Sequence, residues 1–427
     1  MTSGLLGAKQ ASWWQNLNRA EQVVAALIAL MPLTWVVGAK QLPLLLGIGL
    51  AVYEIRRHGT LQLKRPGWMV GAVVAFGVYR FLSETLWGEP LSPSGLLSLL
   101  NTWVLPGFLL WYFQSRDIRV RPEIVAWSCL VLVGEMLLLW AGIHFVLGEP
   151  AYAPPLSLFG LLLGKGEQFF PGGGIGNFLH PYWPNDRVFG LARFGFFFGY
   201  PESFAVVMGF IALLFLDRKL PAQPLLLGAC LFLLVLSGTR SAWLALPLVL
   251  AVRTWFTAGQ VGGRALPLAL VALVSFIALS VPPVTELVLD TVHQTAQATD
   301  KFRPDSSEVR GRIYTRTLER LGDEWLFGHG VPGPTVLPRY KPAALGTHSF
   351  VLGTLLYRSG AVGTALFVLY WLALAGWLYR TRAGRPPCAL LAMLYISLVL
   401  LTKDFEVTEM LVLVLVALLR EREAVDG

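Results

Sequence analysis

Charge is what this sequence has least of. Only 14% of its 427 residues are charged and 55% are hydrophobic, against about 25% charged in an ordinary soluble domain. That shortage excludes a surface wetted all round and points to a chain that crosses a membrane repeatedly. Cysteine is scarce too. Cys129, Cys230 and Cys388 all fall inside apolar runs, without metal-ligand spacing or an evident disulfide partner, so they read as small core residues. No HxxxH or HExxH spacing, Walker A loop, Rossmann glycine pattern or nucleophile elbow occurs. No metal and no cofactor is expected from spacing alone. The short alternating segments of a membrane β-barrel are missing as well; runs such as 225–236 and 266–281 are continuously apolar.

What is present is a series of about twelve apolar runs of roughly spanning length: 23–38, 41–53, 67–87, 96–113, 124–147, 196–216, 222–238, 241–256, 265–281, 360–379, 387–402 and 407–419. Residues 1–22 are polar, so the first run reads as a retained anchor. The expected fold is an all-α polytopic membrane protein, one membrane-embedded domain over 1–427. The net charge of +8 fits the Lys/Arg bias of cytoplasmic loops and not nucleic-acid binding. Arg56 and Arg57, Arg116 and Arg119, Arg218, Arg253, Arg380 and Arg420 all follow even-numbered runs. That parity puts those loops and both termini in the cytoplasm and the odd loops outside.

Two outer segments are long. Residues 148–195 combine Pro171-Gly172-Gly173-Gly174 with Phe169, Phe178, Tyr182 and Trp183, which suits an irregular interfacial loop. Residues 282–347, between runs nine and ten, are polar and partly helical. Val309, Ile313, Thr317 and Leu321 recur every fourth residue, and Arg312, Arg316 and Arg320 form a second stripe. An amphipathic helix over 306–322, lying on the outer membrane surface, is expected. Residues 348–357 are apolar but too short to span. They read as a half-helix broken at Arg358-Ser359-Gly360 before the run 360–379.

Outer loops should be poor in arginine, yet Arg187, Arg193, Arg240, Arg310, Arg312, Arg316, Arg320, Arg339 and Lys341 lie there. Arg240 sits in the tight turn Ser237-Gly238-Thr239-Arg240 between two apolar runs. One such arginine anchors to lipid phosphate as readily as it binds a ligand. Several on one side favour an anion site, because guanidinium forks match phosphate oxygens. His348 closes the long polar segment and opens the half-helix, where the helix N-terminus favours a neutral, basic imidazole. Asp404-Phe405-Glu406 is the nearest acidic pair that could hold a divalent ion, and Glu135 is an acid deep within an apolar run.

Four stretches resemble the O-antigen ligase and polymerase family. Arg193-Phe-Gly through Pro201-Glu202-Ser203 is similar to the family's Arg/Gly/Phe/Pro-Asn run into a span, with Glu202 in place of Asn. Ser237-Gly-Thr-Arg240-Ser resembles its Ser/Thr-Arg-Ser loop. Arg310-Gly-Arg312 with Trp325-Leu-Phe-Gly328-His-Gly330 resembles its Gly-Arg…Gly-x-Gly segment. Thr347-His348-Ser349 with Gly360-Ala-Val-Gly363 resembles its His-Asn…Gly-x-x-Gly segment, with Ser349 in place of Asn. The resemblance implies a glycosyltransferase of the GT-C type in the bacterial inner membrane, working without a metal at the periplasmic face. It implies an undecaprenyl-diphosphate-linked glycan as donor, a lipid A–core sugar hydroxyl as acceptor, and inversion at the anomeric carbon. His348 is then the general base. Arg240 and Arg312 stabilise the leaving diphosphate, and Arg193, Arg310, Arg187 and Arg316 are further substrate-binding candidates. A polymerase, with a lipid-linked acceptor, shares these motifs. A transporter or flippase would also have about twelve spans, but predicts inverted repeats and charges at the membrane midplane.

Overall fold

The computed structural model describes residues 16–38, 42–88, 93–162, 177–218, 220–257, 307–337 and 343–421. The expected run 265–281, the glycine-rich 171–174, and Arg339 and Lys341 lie outside these described residues. Every other expected apolar run is helical. In chain order the helices are α1 (Arg19–Ala29), α2 (Met31–Val37), α3 (Leu42–His58), α4 (Trp68–Trp87), α5 (Pro93–Leu99), α6 (Leu105–Arg116), α7 (Pro122–Ala141), α8 (Leu158–Leu162), α9 (Pro201–Leu216), α10 (Gln223–Leu236), α11 (Arg240–Thr257), α12 (Ser307–Glu319), a π-helical half-helix (Phe350–Arg358), α13 (Ser359–Arg380), α14 (Cys388–Val399) and α15 (Val407–Leu418).

Among the described residues, four helices are long and apolar enough to cross a membrane: Trp68–Trp87, Gly95–Arg116, Pro122–Leu147 and Phe350–Arg380. A fifth is added if α1 and α2, bent by 72° at their junction, count as one span. α9, α10, α14 and α15 are apolar but only 16, 14, 12 and 12 residues long. At 1.5 Å per residue they cover about 18–24 Å, less than the roughly 30 Å of a hydrocarbon core. The chain is thus mostly helical and apolar, as a helical membrane protein is, with four or five helices of full spanning length among the described residues. Large apolar side chains stand exposed on the periphery, among them Leu138, Val146, Leu225 and Leu244, each more than 70% accessible. Such a surface suits lipid.

α9 is the central helix. Every residue from Ser203 to Phe215 is buried, as expected of a helix that is apolar all round. Gly209 lets it close on α14, where a Cβ would meet the Tyr395 ring at 2.2 Å. The Tyr395 hydroxyl donates to the Ala205 carbonyl at 2.9 Å.

The helix ends sort the charges into two groups. Beyond the C-terminus of α9, Asp217 accepts from Arg253 at 3.0 Å. At the same end Glu21 pairs with Arg121 at 2.6 Å and Arg420 with Asp117 at 3.5 Å. These are the arginines that follow even-numbered runs. Glu202, in the first turn of α9, heads the second group at the opposite end.

Two expectations are corrected. The 148–195 segment is not wholly irregular, and the chain is not purely α. Strands β1 (Tyr182–Val188) and β2 (Leu191–Phe194) pair antiparallel, closed by Phe189 and Gly190 at φ 50° and 79°. A two-residue loop with both φ positive matches the right-handed strand twist. Tyr182 stacks on Phe194 at 5.5 Å and holds the sheet together. The expected helix 306–322 is present as α12, but its apolar stripe does not face a membrane surface. Val309 and Ile313 pack on Ala343, Val336 and Leu337, so the stripe is used up within the protein.

Candidate functional site

The site lies at the Glu202 end and is built from several pieces of chain. The first is the broken helix. The half-helix stops at Arg358, and Gly360 takes φ 59°, ψ −165°, far from helical. A break of this kind frees backbone groups, which the segment 325–330 takes up. His329 and Gly330 donate N–H to the Tyr357 and Arg358 carbonyls, both at 2.9 Å. Ala361 and Val362 donate to the Trp325 and Leu326 carbonyls at 2.9 and 3.1 Å. Gly328 and Gly360 meet here; a Cβ on either would lie 2.5 Å from the other's backbone nitrogen. The two glycine motifs seen in the sequence are therefore two halves of one joint.

His348 stands two residues before the half-helix. Its backbone is left-handed, φ 64°, at a cost of about 1–2 kcal/mol for a residue with a Cβ. The cost is borne by its neighbours. Tyr314 of α12 donates its hydroxyl to the His348 carbonyl at 2.8 Å. Ser349 is the N-cap, accepting from Leu352 N–H at 3.1 Å, which is the job that serine or asparagine does equally well. Phe350 N–H reaches the Lys403 carbonyl at 2.8 Å and so ties this corner to the loop before α15.

One turn before Tyr314, on the same face of α12, is Arg310. It lies 4.0 Å from Glu202, and its Nε is buried with no hydrogen-bond partner. Arg312 and Arg316 are exposed on the opposite flank of α12. Burial holds the Tyr314 phenol above its ordinary pKa; Arg310 pulls it down and Asp404 pushes it up.

Glu202 also pairs with Arg193 at 3.1 Å. Arg193 is 8% exposed and reaches Asp186 at 2.7 Å and the Ser237 carbonyl at 2.8 Å. It thus supports from below the turn that carries Arg240. Gly238, at φ 64°, lies so close to the Arg193 side chain that a Cβ would be 2.6 Å from Nε. Burial works against the charge on Arg193, but Glu202 and Asp186 outweigh it and raise its pKa. Arg240 itself is exposed as the first residue of α11. Arg187 turns away from this group to Glu149, 3.1 Å distant. Of the two arginines on the hairpin, Arg193 is the one at the centre.

Several members were not singled out from sequence. Lys403 is 6% exposed and pairs with the fully buried Glu409 at 2.9 Å. Burial disfavours its charge, yet Glu406, Glu409 and Glu202 hold its pKa above the usual lysine range. Glu406 accepts from the Ser203 hydroxyl at 3.0 Å. Asp404 pairs with Arg358 at 3.0 Å and accepts from Thr354 at 2.5 Å. The Asp404-Phe405-Glu406 pair is thus split between two partners, and no group of three or more potential metal ligands occurs among the described residues. Arg80 of α4 pairs with Glu84 and reaches the Gly330 carbonyl at 3.3 Å. A basic residue inside an apolar run was the signal available for Arg80; for Tyr314 it was the i,i+4 spacing from Arg310.

Residues 225–368 match the model of the O-antigen ligase family. Over this stretch the chain is similar to the O-antigen ligase family. The stretch covers roughly a third of the sequence, from α10 into α13, and contains Arg240, α12, His348 and both glycine motifs. No curated protein matches the chain. The match over these residues suggests glycosyl transfer of the ligase or polymerase type, and the apolar helices fit an integral membrane protein. Arg193, Glu202 and Lys403–Glu409 lie outside the matched O-antigen ligase region but contact it.

Proposed function

We propose that this protein transfers an O-antigen glycan from undecaprenyl diphosphate to a sugar hydroxyl of lipid A–core. The reaction would take place at the periplasmic face of the inner membrane, with inversion and without a metal. The observation that carries the reading is Arg310, a half-buried arginine whose buried Nε has no hydrogen-bond partner among the described residues, one helical turn from the tyrosine that holds His348. An anion site next to a base is what a diphosphate leaving group and a hydroxyl nucleophile require. An apolar cavity of about 550 Å³ adds support. It lies between α1, α2, α3, α6, α7, α9 and α15. Phe198, Gly199 and Val407 line the end beside the polar site, where a lipid tail could accompany its headgroup.

In the proposed step, the acceptor oxygen attacks the anomeric carbon and its proton passes to His348. The bond from the anomeric carbon to the diphosphate oxygen breaks, and undecaprenyl diphosphate leaves with the electron pair. Arg240 and Arg312, with Arg310 in support, offset the charge that develops on it. Arg193 holds the Arg240 turn, and Arg187 and Arg316 bind outlying phosphate or sugar groups. Both termini and the Asp217 end of the bundle face the cytoplasm, in keeping with the arginine count there.

The test is transfer by purified protein in detergent with EDTA present, given lipid-linked O-antigen and lipid A–core. Glycosylated lipid A–core is the expected product. A product extended on the lipid-linked carrier would make the protein a polymerase, and activity only after a divalent ion is restored would defeat the metal-free reading.

A further inference from the structure

We infer that Thr347 is a positioning residue that sets the tautomer of His348, with the proton on Nδ1 and the lone pair on Nε2. This rests on the reading of His348 as the base. The Thr347 hydroxyl lies 2.7 Å from the Ala344 carbonyl and 2.8 Å from His348 Nδ1. A hydroxyl has one hydrogen, and a carbonyl oxygen can only accept. The hydrogen therefore goes to Ala344, and the hydroxyl oxygen accepts from Nδ1–H. A neutral imidazole carries one proton, so Nε2 holds the lone pair that takes the acceptor's proton.

The parts around Thr347 keep this arrangement in place. Ala344 is buried and bridged to Thr335, so its carbonyl has a fixed direction. Gly346 N–H donates to Thr317 of α12 at 3.1 Å. A Cβ on Gly346 would lie 2.4 Å from the Tyr357 ring, so the chain before Thr347 is confined on that side. When Nε2 gains its proton, Nδ1–H still donates to Thr347, and the hydroxyl has no need to reorient. Residue 347 thus does through a hydroxyl what a carboxylate does behind many catalytic histidines, without adding negative charge beside a departing diphosphate.

The test uses full-length protein labelled with ¹⁵N-histidine, the His348 signals being assigned by their loss in His348→Gln. Wild type and Thr347→Ser are expected to show a protonated Nδ1 and an unprotonated Nε2 at neutral pH. Thr347→Val is expected to lose this preference. It is also expected to lower kcat about 10–100-fold, as removal of the group that orients a metal-bound histidine does, with KM little changed and Thr347→Ser close to wild type. Nε2–H in the wild type overturns the inference whatever the activities are. So does a Thr347→Val enzyme with wild-type kcat, or a Thr347→Ser enzyme as impaired as Thr347→Val. Undiminished transfer by His348→Ala would instead overturn the base assignment while leaving the tautomer measurement intact.

Discussion

The joint between the two glycine motifs makes a sharp prediction for Gly360→Ala. At φ 59°, ψ −165° Gly360 occupies a region that is almost closed to residues with a Cβ, and strain there costs about 1–3 kcal/mol. The new methyl would also sit 2.5 Å from Gly328 N and 2.6 Å from the Leu326 carbonyl oxygen, both backbone atoms that cannot swing aside. Relief requires segment 325–330 to back away, which displaces the hydrogen bonds of His329, Gly330, Ala361 and Val362. Each is worth about 1 kcal/mol net, so the total loss is several kcal/mol, a large part of the roughly 5–15 kcal/mol that holds a typical protein together. Gly376→Ala, in the same helix, is the control, because a Cβ there meets nothing within 4 Å. Thermal unfolding in detergent should show Gly360→Ala far below wild type and Gly376→Ala at or above it. Equal melting temperatures for the two would refute the claim that this joint holds the break.

The remaining predictions concern the site. His348→Ala should reduce transfer about 10²–10⁴-fold, the usual value of a general base, read by gel analysis of lipopolysaccharide; near-normal ligation rules out the assignment. Arg240→Ala should cost about 10²–10³-fold as a charge-stabilising donor is lost, and Arg240→Lys should recover only part, because an ammonium cannot make the two-pronged contact. Full recovery with lysine would leave only a point-charge role. Glu202→Gln should lower stability by about 1.5–3 kcal/mol, the value of hydrogen bonds to charged groups, since Arg193 keeps Asp186 and the Ser237 carbonyl. Chemical unfolding measures this, and an unchanged midpoint would mean that Glu202 does not organise the two arginines.

Much of this protein follows from pattern alone, for physical reasons. A run of apolar residues must become a helix in lipid because no water is there to satisfy its backbone, and so the helices could be placed from composition. Val309, Ile313 and Thr317 fall on one buried face of α12 because the helical period allows nothing else. The break at Gly360 and the half-helix after His348 were visible as a short apolar stretch ending in glycine. Which residues meet was not visible. The Gly311-Arg312 pair favours Arg312 in the sequence, but the packing of α12 turns Arg310 to Glu202 and puts Arg312 on the exposed flank. Arg193 could be named as an inner arginine, yet its three partners come from β1, the Ser237 turn and α9, which only folding brings together. The apolar run 407–419 likewise marks where α15 lies, and the capping box of Glu406 with Glu409 fixes its first residue at Val407. The sequence by itself determined an array of apolar helices with arginines in the segments between them, because charge is excluded from lipid. The tertiary structure decided that Arg193 and Arg310 lie against Glu202 while Arg240 and Arg312 stand on the exposed surface, because only packing brings α9, α12 and the hairpin together.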